Sequence, residues 1–132
     1  MITKSETNKM ITNFPQVILA SSSRTREKQL RRYFKKVVIR KHLIDEEEFK
    51  SLKMKPEKTV TELAKQKAHS IKEFFPEDII IGSDQILMCS KRLISKPVNL
   101  EDAIENLLFI RNKEHILMSS IYVIKKSKFF FK

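Results

Sequence analysis

Short apolar runs suited to buried strands alternate along this chain with segments of helical periodicity, and that alternation restricts it to an α/β sheet more than any other feature. Val17-Ile18-Leu19-Ala20 is the first run, and Ser21-Ser22-Ser23 follows at once. Ser23 is a candidate N-cap for a helix over 24–34, in which Leu30, Tyr33 and Phe34 share one side. Val37-Val38-Ile39 reads as a second strand, while Asp45-Glu46-Glu47-Glu48 and 53–58 read as a polar, mobile connection. Thr59-Val60-Thr61-Glu62 has the form of a capping box. Val60, Leu63, Ala64, Lys67, Ala68, Ile71, Phe74 and Phe75 outline one face of the helix that follows, which Pro76 stops. Asp78-Ile79-Ile80-Ile81-Gly82 reads as a central strand, and Ile86-Leu87-Met88 with Leu93-Ile94 as a hairpin around Ser90-Lys91-Arg92. Asn99 can cap a helix over 100–110, and 115–124 has strand character.

At 132 residues the expectation is one domain over 14–124, with a polar extension at 1–13 and a basic, aromatic tail at 125–132. No apolar stretch approaches the ~20 residues of a membrane span, and the polar start lacks the apolar core of a signal peptide, so no membrane association and a cytoplasmic location are expected. Cys89 is the sole cysteine. An intramolecular disulfide and a cysteine-rich metal site are therefore excluded, and any metal must sit mainly on oxygen ligands. Lys and Arg number 27 against 16 Asp and Glu, a net charge of +11 that either favours anionic partners or reflects only the codon bias of an AT-rich genome, the reading preferred for charge taken alone. A nucleic-acid-binding protein ranks last among the candidates, because no recognised binding motif or aromatic stacking platform accompanies the charge.

In open α/β sheets ligands sit beyond the carboxyl ends of strands, and the serine and aspartate clusters are expected there. The 21–26 turn gathers hydroxyls, guanidinium groups and free backbone N–H groups at a helix N-terminus: either a phosphate cradle or simple capping with solvated arginines. Asp84, expected at a strand end after Gly82, is either a cation-holding or water-polarising carboxylate or a turn residue. Glu46 is either its partner or part of a solvated acidic loop. Lys67 lies on an otherwise apolar helix face, where snorkelling to solvent is the default account. Lys96, fixed by Pro97, is a further cation or a surface turn residue. His42, His69 and His115 lack metal-ligand spacing and receive no catalytic role.

These signals occur in an order that resembles the Maf family of nucleoside triphosphate pyrophosphatases, over 17–124. Val17-Ile18-Leu19-Ala20-Ser21-Ser22-Ser23 with Arg26 is similar to the family's opening motif. Asp45-Glu46 is similar to its aspartate-glutamate pair, Leu63-Ala64-Lys65-Gln66-Lys67-Ala68 to its helix with an inward lysine, Ile80-Ile81-Gly82-Ser83-Asp84-Gln85 to its aspartate strand, and Lys96-Pro97 to its lysine-proline turn. The resemblance implies a mixed, twisted sheet with flanking helices. It implies hydrolysis of a modified or non-standard nucleoside triphosphate to monophosphate and pyrophosphate, a housecleaning reaction, and the Gly-Ser-Asp-Gln form is closest to the 7-methyl-GTP branch. It further implies Asp84 and Glu46 as catalytic, metal-holding carboxylates for Mg²⁺ or Mn²⁺. Ser21, Ser23, Arg26, Lys67 and Lys96 then bind phosphate, and Gln85 helps select the base.

The sequence departs from the family pattern in three places. Arg24-Thr25 stands where a proline and a basic or aromatic residue are typical, and Asn112 and Ser119-Ser120 replace glycine-containing sites. Family chains also continue further, so the expectation is a fold lacking its C-terminal part, with 125–132 as the product of a frameshift or a decayed gene. An inactive remnant that at most binds nucleotides is the alternative this raises. Strand 115–124 would then lie at a sheet edge, where a homodimer or insolubility follows.

Overall fold

Val17–Leu19 forms β1 because it is apolar on both sides and is covered on both sides: all three residues are buried. In this computed structural model residues 16–50 and 52–125 are described; the expected extension at 1–13 and positions 126–132 of the expected tail lie outside them. β1 runs parallel to β2 (Val37–Ile39) on one edge and to the first residues of β3 (Ile79–Cys89) on the other, with Leu19 opposite Ile39 and Ile81. β4 (Arg92–Ile94) folds back antiparallel on the end of β3, and β5 (His115–Ile124) runs antiparallel along it from Ile80↔Ile124 to Cys89↔His115. The result is a five-stranded mixed sheet in the order β2-β1-β3-β4, with β5 against β3. The expected α/β class and hairpin are both present. The hairpin turns through Ser90 and Lys91, both at positive φ, as two-residue turns between twisted strands require.

The helices are α1 (Arg24–Arg31), α2 (Glu46–Lys50), α3 (Pro56–Ser70) and α4 (Leu100–Ile110). Ser23 and Asn99 cap α1 and α4 as expected, their side chains accepting from the N–H groups of Arg26 and Asp102. Three other expectations need correction. α1 ends at Arg31 rather than 34, and the expected mobile connection contains α2, capped by Asp45, whose carboxylate accepts from the N–H groups of Glu47 and Glu48. α3 starts one turn before the Thr59 capping box, since Pro56 needs no partner for an N–H it lacks, and Thr59 Oγ1 instead donates to the Lys55 carbonyl. The α-helix also stops at Ser70, well before Pro76, and tightens into a 3₁₀ turn over Lys72–Phe74.

α3 packs across β3 and β5 with Val60, Leu63, Ala64, Lys67 and Ala68 turned inward, at the three- and four-residue spacing of one helix face. Ile18, Ala20, Ala68, Ile71 and Ile80 form the core cluster beneath it, with Val38, Phe75, Tyr122 and Ile124 packed around. Each large aliphatic residue buried in this way contributes about 1.5–3 kcal/mol. Gly82, the only glycine in the chain, allows the closest approach. A Cβ there would overlap the Ala64 carbonyl oxygen and stand 2.9 Å from the Ala68 nitrogen. The period of two then sends Ile80, Gly82 and Asp84 toward α3, and Ile81, Ser83 and Gln85 toward the opposite face.

Candidate active site

Asp84 does not occupy the end of its own strand. β3 continues to Cys89, so the expected strand end at Gly82 and the separate strand at 86–88 are one element, held extended through this stretch by pairing of Ser83, Asp84 and Gln85 with Ile121, Ser120 and Ser119 of β5. What ends here is the neighbour. β1 pairs with β3 only as far as Ile81 and β4 joins only from Leu87, so among the described residues β3 has a gap in its ladder on that edge. The carboxyl end of β1 opens into this gap and brings the serine turn with it. Arg26 fills part of it, donating from Nη1 to the Ser83 carbonyl at 3.2 Å.

The turn itself is built from its hydroxyls. Ser21 Oγ accepts from the Ser23 N–H at 3.0 Å, and Ser23 Oγ accepts from the Arg26 N–H at 3.3 Å. Each hydroxyl still has its own proton to donate, and the Arg26 guanidinium retains further N–H donors, so the capping and phosphate-cradle readings are compatible. Ser23, Arg26, Asp84, Gln85 and Lys96 line one cleft of about 640 Å³, bounded on its far side by Asn106 and Leu107 of α4. Ser21 is buried and is not among the residues that line it.

On the α3 side of β3 a second group converges. Lys67 is 4% exposed, and its ammonium donates to Asp84 Oδ1 at 3.0 Å and meets Glu46 Oε1 at 2.5 Å. The snorkelling expected for Lys67 is therefore replaced by burial against two carboxylates; the stem points under the sheet, where only an anion can offset the loss of water. Asp45 and Glu46, adjacent in sequence, divide their work: the first caps α2 and the second reaches Lys67. Asp84 is itself only 6% exposed, and its Oδ2 has no hydrogen-bond partner among the described residues. A buried carboxylate oxygen of this kind calls for a ligand.

The donors suit a hard cation. Glu46 and Asp84 offer oxygen alone, and the orphaned Oδ2 has unused lone pairs. No three His, Cys, Asp or Glu side chains converge among the described residues. Among the described residues Glu46 and Asp84 would be the carboxylates to hold such a cation, and phosphate and water oxygens would have to supply the rest of its ligands, as Mg²⁺ commonly accepts.

His42 was passed over at the level of sequence because it has no motif spacing; tertiary structure alone brings it within the field of this group. Its Nδ1 accepts from the Ile44 N–H at 3.1 Å, which leaves the proton of the neutral ring on Nε2. Burial is the main cause that holds the His42 pKa below 6.5, the Lys67 charge adds to it, and Glu46 and Asp84 oppose it. For Glu46, burial pushes the carboxyl up, but the hydrogen bond and charge of Lys67, with His42 and Lys50, outweigh it and hold the pKa below 4.5. His69 is likewise lowered by burial, with Lys72 and Lys65 contributing.

All three shifts have the same sign in pH. The unfolded chain takes up each proton at higher pH than the folded chain, so their contribution is present above the unfolded values and is lost as pH falls through the folded ones. The urea midpoint is expected to drop between about pH 7.5 and 5, beginning near the unfolded histidine value, with Glu46 adding only at lower pH. His42→Asn, which keeps an acceptor for Ile44, should flatten the upper part of that slope. A wild-type midpoint that stays level over this range contradicts the assignment.

A family model described as Maf-like protein matches residues 16–130. The chain is 32% identical over 114 residues to a nucleoside triphosphate pyrophosphatase of Legionella pneumophila (strain Lens), covering 85% of this chain and 57% of that protein. It is 35% identical over 108 residues to a 7-methyl-GTP pyrophosphatase of Bdellovibrio bacteriovorus, covering 82% and 56%. With a dTTP/UTP pyrophosphatase of Pyrococcus furiosus it shares 30% over 113 residues, covering 86% and 58%. The chain thus spans less than three-fifths of the length of these relatives.

Proposed function

This chain belongs to the Maf family, and from that premise we propose that it hydrolyses a modified or non-standard nucleoside triphosphate to the monophosphate and pyrophosphate. The observation that carries this reading is the Glu46–Lys67–Asp84 group, in which Lys67 and Asp84 are buried and Asp84 Oδ2 has no hydrogen-bond partner among the described residues, at the gap in the sheet where the Ser21–Arg26 turn enters.

Cleavage between the α- and β-phosphates requires water to reach phosphorus while negative charge is neutralised. Ser23, Arg26 and Lys96, on one cleft, supply hydroxyl, guanidinium and ammonium donors to the polyphosphate. Lys67 adds an ammonium next to Asp84. Asp84 and Glu46 would hold Mg²⁺ or Mn²⁺, which when bound supplies charge neutralisation and a more acidic water. Asp84 would also orient the attacking water by accepting a hydrogen bond from it. Gln85, exposed on the cleft, carries an amide that can donate to and accept from a base edge.

We take 7-methyl-GTP as the first substrate to test, on the Gly82-Ser83-Asp84-Gln85 sequence and the likeness to the Bdellovibrio protein. The same reading assigns the chain to the cytoplasm, where nucleotides are plentiful. No helix of the described residues is long and apolar enough to cross a membrane. It also assigns a homodimer, since β5 pairs only with β3 among the described residues and exposes Leu117 and Ile121.

The experiment is pyrophosphate release by the purified chain with Mg²⁺ or Mn²⁺ across 7-methyl-GTP, dTTP and UTP. Release fastest from 7-methyl-GTP is expected. A folded chain that releases none from any of the three overturns the hydrolytic reading and favours nucleotide binding without turnover.

A further inference from the structure

One ammonium bridges the two carboxylates of the candidate site. Lys67 Nζ lies 2.5 Å from Glu46 Oε1 and 3.0 Å from Asp84 Oδ1, and the lysine side chain is 4% exposed. Two carboxylates and one ammonium leave the group with a single net negative charge. A divalent ion added beside a retained Lys67 would turn that into a net positive charge in a poorly hydrated place, with the ion and the ammonium in close repulsion. A polyphosphate arriving with the ion changes the balance, because its oxygens can take the ammonium. The four-carbon stem of Lys67 allows its head to turn from one set of oxygens to another. Asp84 Oδ2, buried and without a hydrogen-bond partner among the described residues, is the oxygen available to the incoming ion.

We propose that Lys67 is the resident counter-ion of the Glu46–Asp84 pair and leaves it for the phosphate chain when substrate binds, so that the divalent cation and the nucleotide load together rather than in turn. The inference rests on the pyrophosphatase reading only for the identity of the anion. It makes Lys67 an exchange element that keeps the carboxylates occupied between turnovers, in addition to a phosphate ligand.

The test is Mn²⁺ binding to the full chain, followed by the electron paramagnetic resonance of the free ion, without nucleotide. The wild-type chain should bind Mn²⁺ weakly, and Lys67→Met should bind it at least about tenfold tighter, since removing a full charge at this range changes the local potential by more than that ratio requires. Adding a nucleoside triphosphate analogue with a methylene α–β bridge should tighten Mn²⁺ on the wild-type chain and close the gap between the two. Because Lys67→Met leaves the buried Asp84 and the partly exposed Glu46 without their counter-ion and can fail to fold, Glu46→Gln is compared with Glu46→Gln/Lys67→Met, where a single carboxylate remains. The same ordering is expected there. Equal or weaker Mn²⁺ binding after loss of the ammonium, in either pair, overturns the proposal. Hydrolysis is not read, so a chain without turnover leaves the comparison intact.

Discussion

Gly82→Ala is expected to lower stability by about 3 kcal/mol, at the upper end of what overpacking one site costs. In an open strand the same substitution would stabilise slightly, by restricting the unfolded chain. Here the added methyl would overlap a backbone oxygen, that of Ala64, and crowd the Ala68 nitrogen and Cβ at 2.9 and 3.0 Å. Neither belongs to a flexible side-chain tip that can swing away, so α3 as a whole must shift. Lys67 lies on α3 between these two alanines, so the shift also loosens its bonds to Asp84 and Glu46. Urea unfolding of the wild-type chain and Gly82→Ala measures the effect. A change within about 0.5 kcal/mol, the range of an ordinary surface substitution, would mean that α3 does not approach β3 this closely.

Asp84→Ala is expected to reduce pyrophosphate release by about 10²–10³-fold, the loss typical when one preorganised electrostatic group is removed from a reaction centre. The variant removes Oδ2, which has no hydrogen-bond partner among the described residues, together with the Oδ1 that accepts from Lys67. It therefore carries a structural cost as well, since a buried ammonium that loses one of two carboxylates costs on the order of 3 kcal/mol. Asp84→Asn separates the two effects. Its amide oxygen can still accept from Lys67 at much the same place, so stability should fall less than in Asp84→Ala, while turnover, which needs the charge, should fall nearly as far. Asp84→Asn with near wild-type release would remove Asp84 from the chemistry and leave it a structural partner of Lys67.

Much of the framework was legible in local sequence. β1, β2, the hairpin, α4 and β5 stand where the apolar runs and turn residues put them, and Ser23 and Asn99 cap their helices through their own side chains. The misreadings have physical causes. Ser83-Asp84-Gln85 has no apolar alternation and follows a glycine, so it looks like a turn; pairing with β5, some 35 residues on, keeps it extended. Thr59-Val60-Thr61-Glu62 has the composition of a capping box, yet Pro56, with its preset φ, starts the helix earlier. The acidic run at 45–48 looks like a solvated loop, and most of it is exposed; only Glu46 turns back toward Lys67. His42 offered no signal at all.

Near neighbours along the chain set the α/β class, the order of the main elements and the residue types available for phosphate chemistry, because periodicity, caps and turns are local. Which charges meet was settled by packing between elements far apart in sequence. Glu46, Lys67 and Asp84 stand on α2, α3 and β3, and their contact depends on Gly82 letting α3 close onto the sheet, with the early end of β1 leaving the gap beside them. A lone lysine on an apolar helix face reads as one that reaches for water. Once that face is pressed against β3, the ammonium is buried, and among the described residues two carboxylates distant in sequence supply its counter-charge.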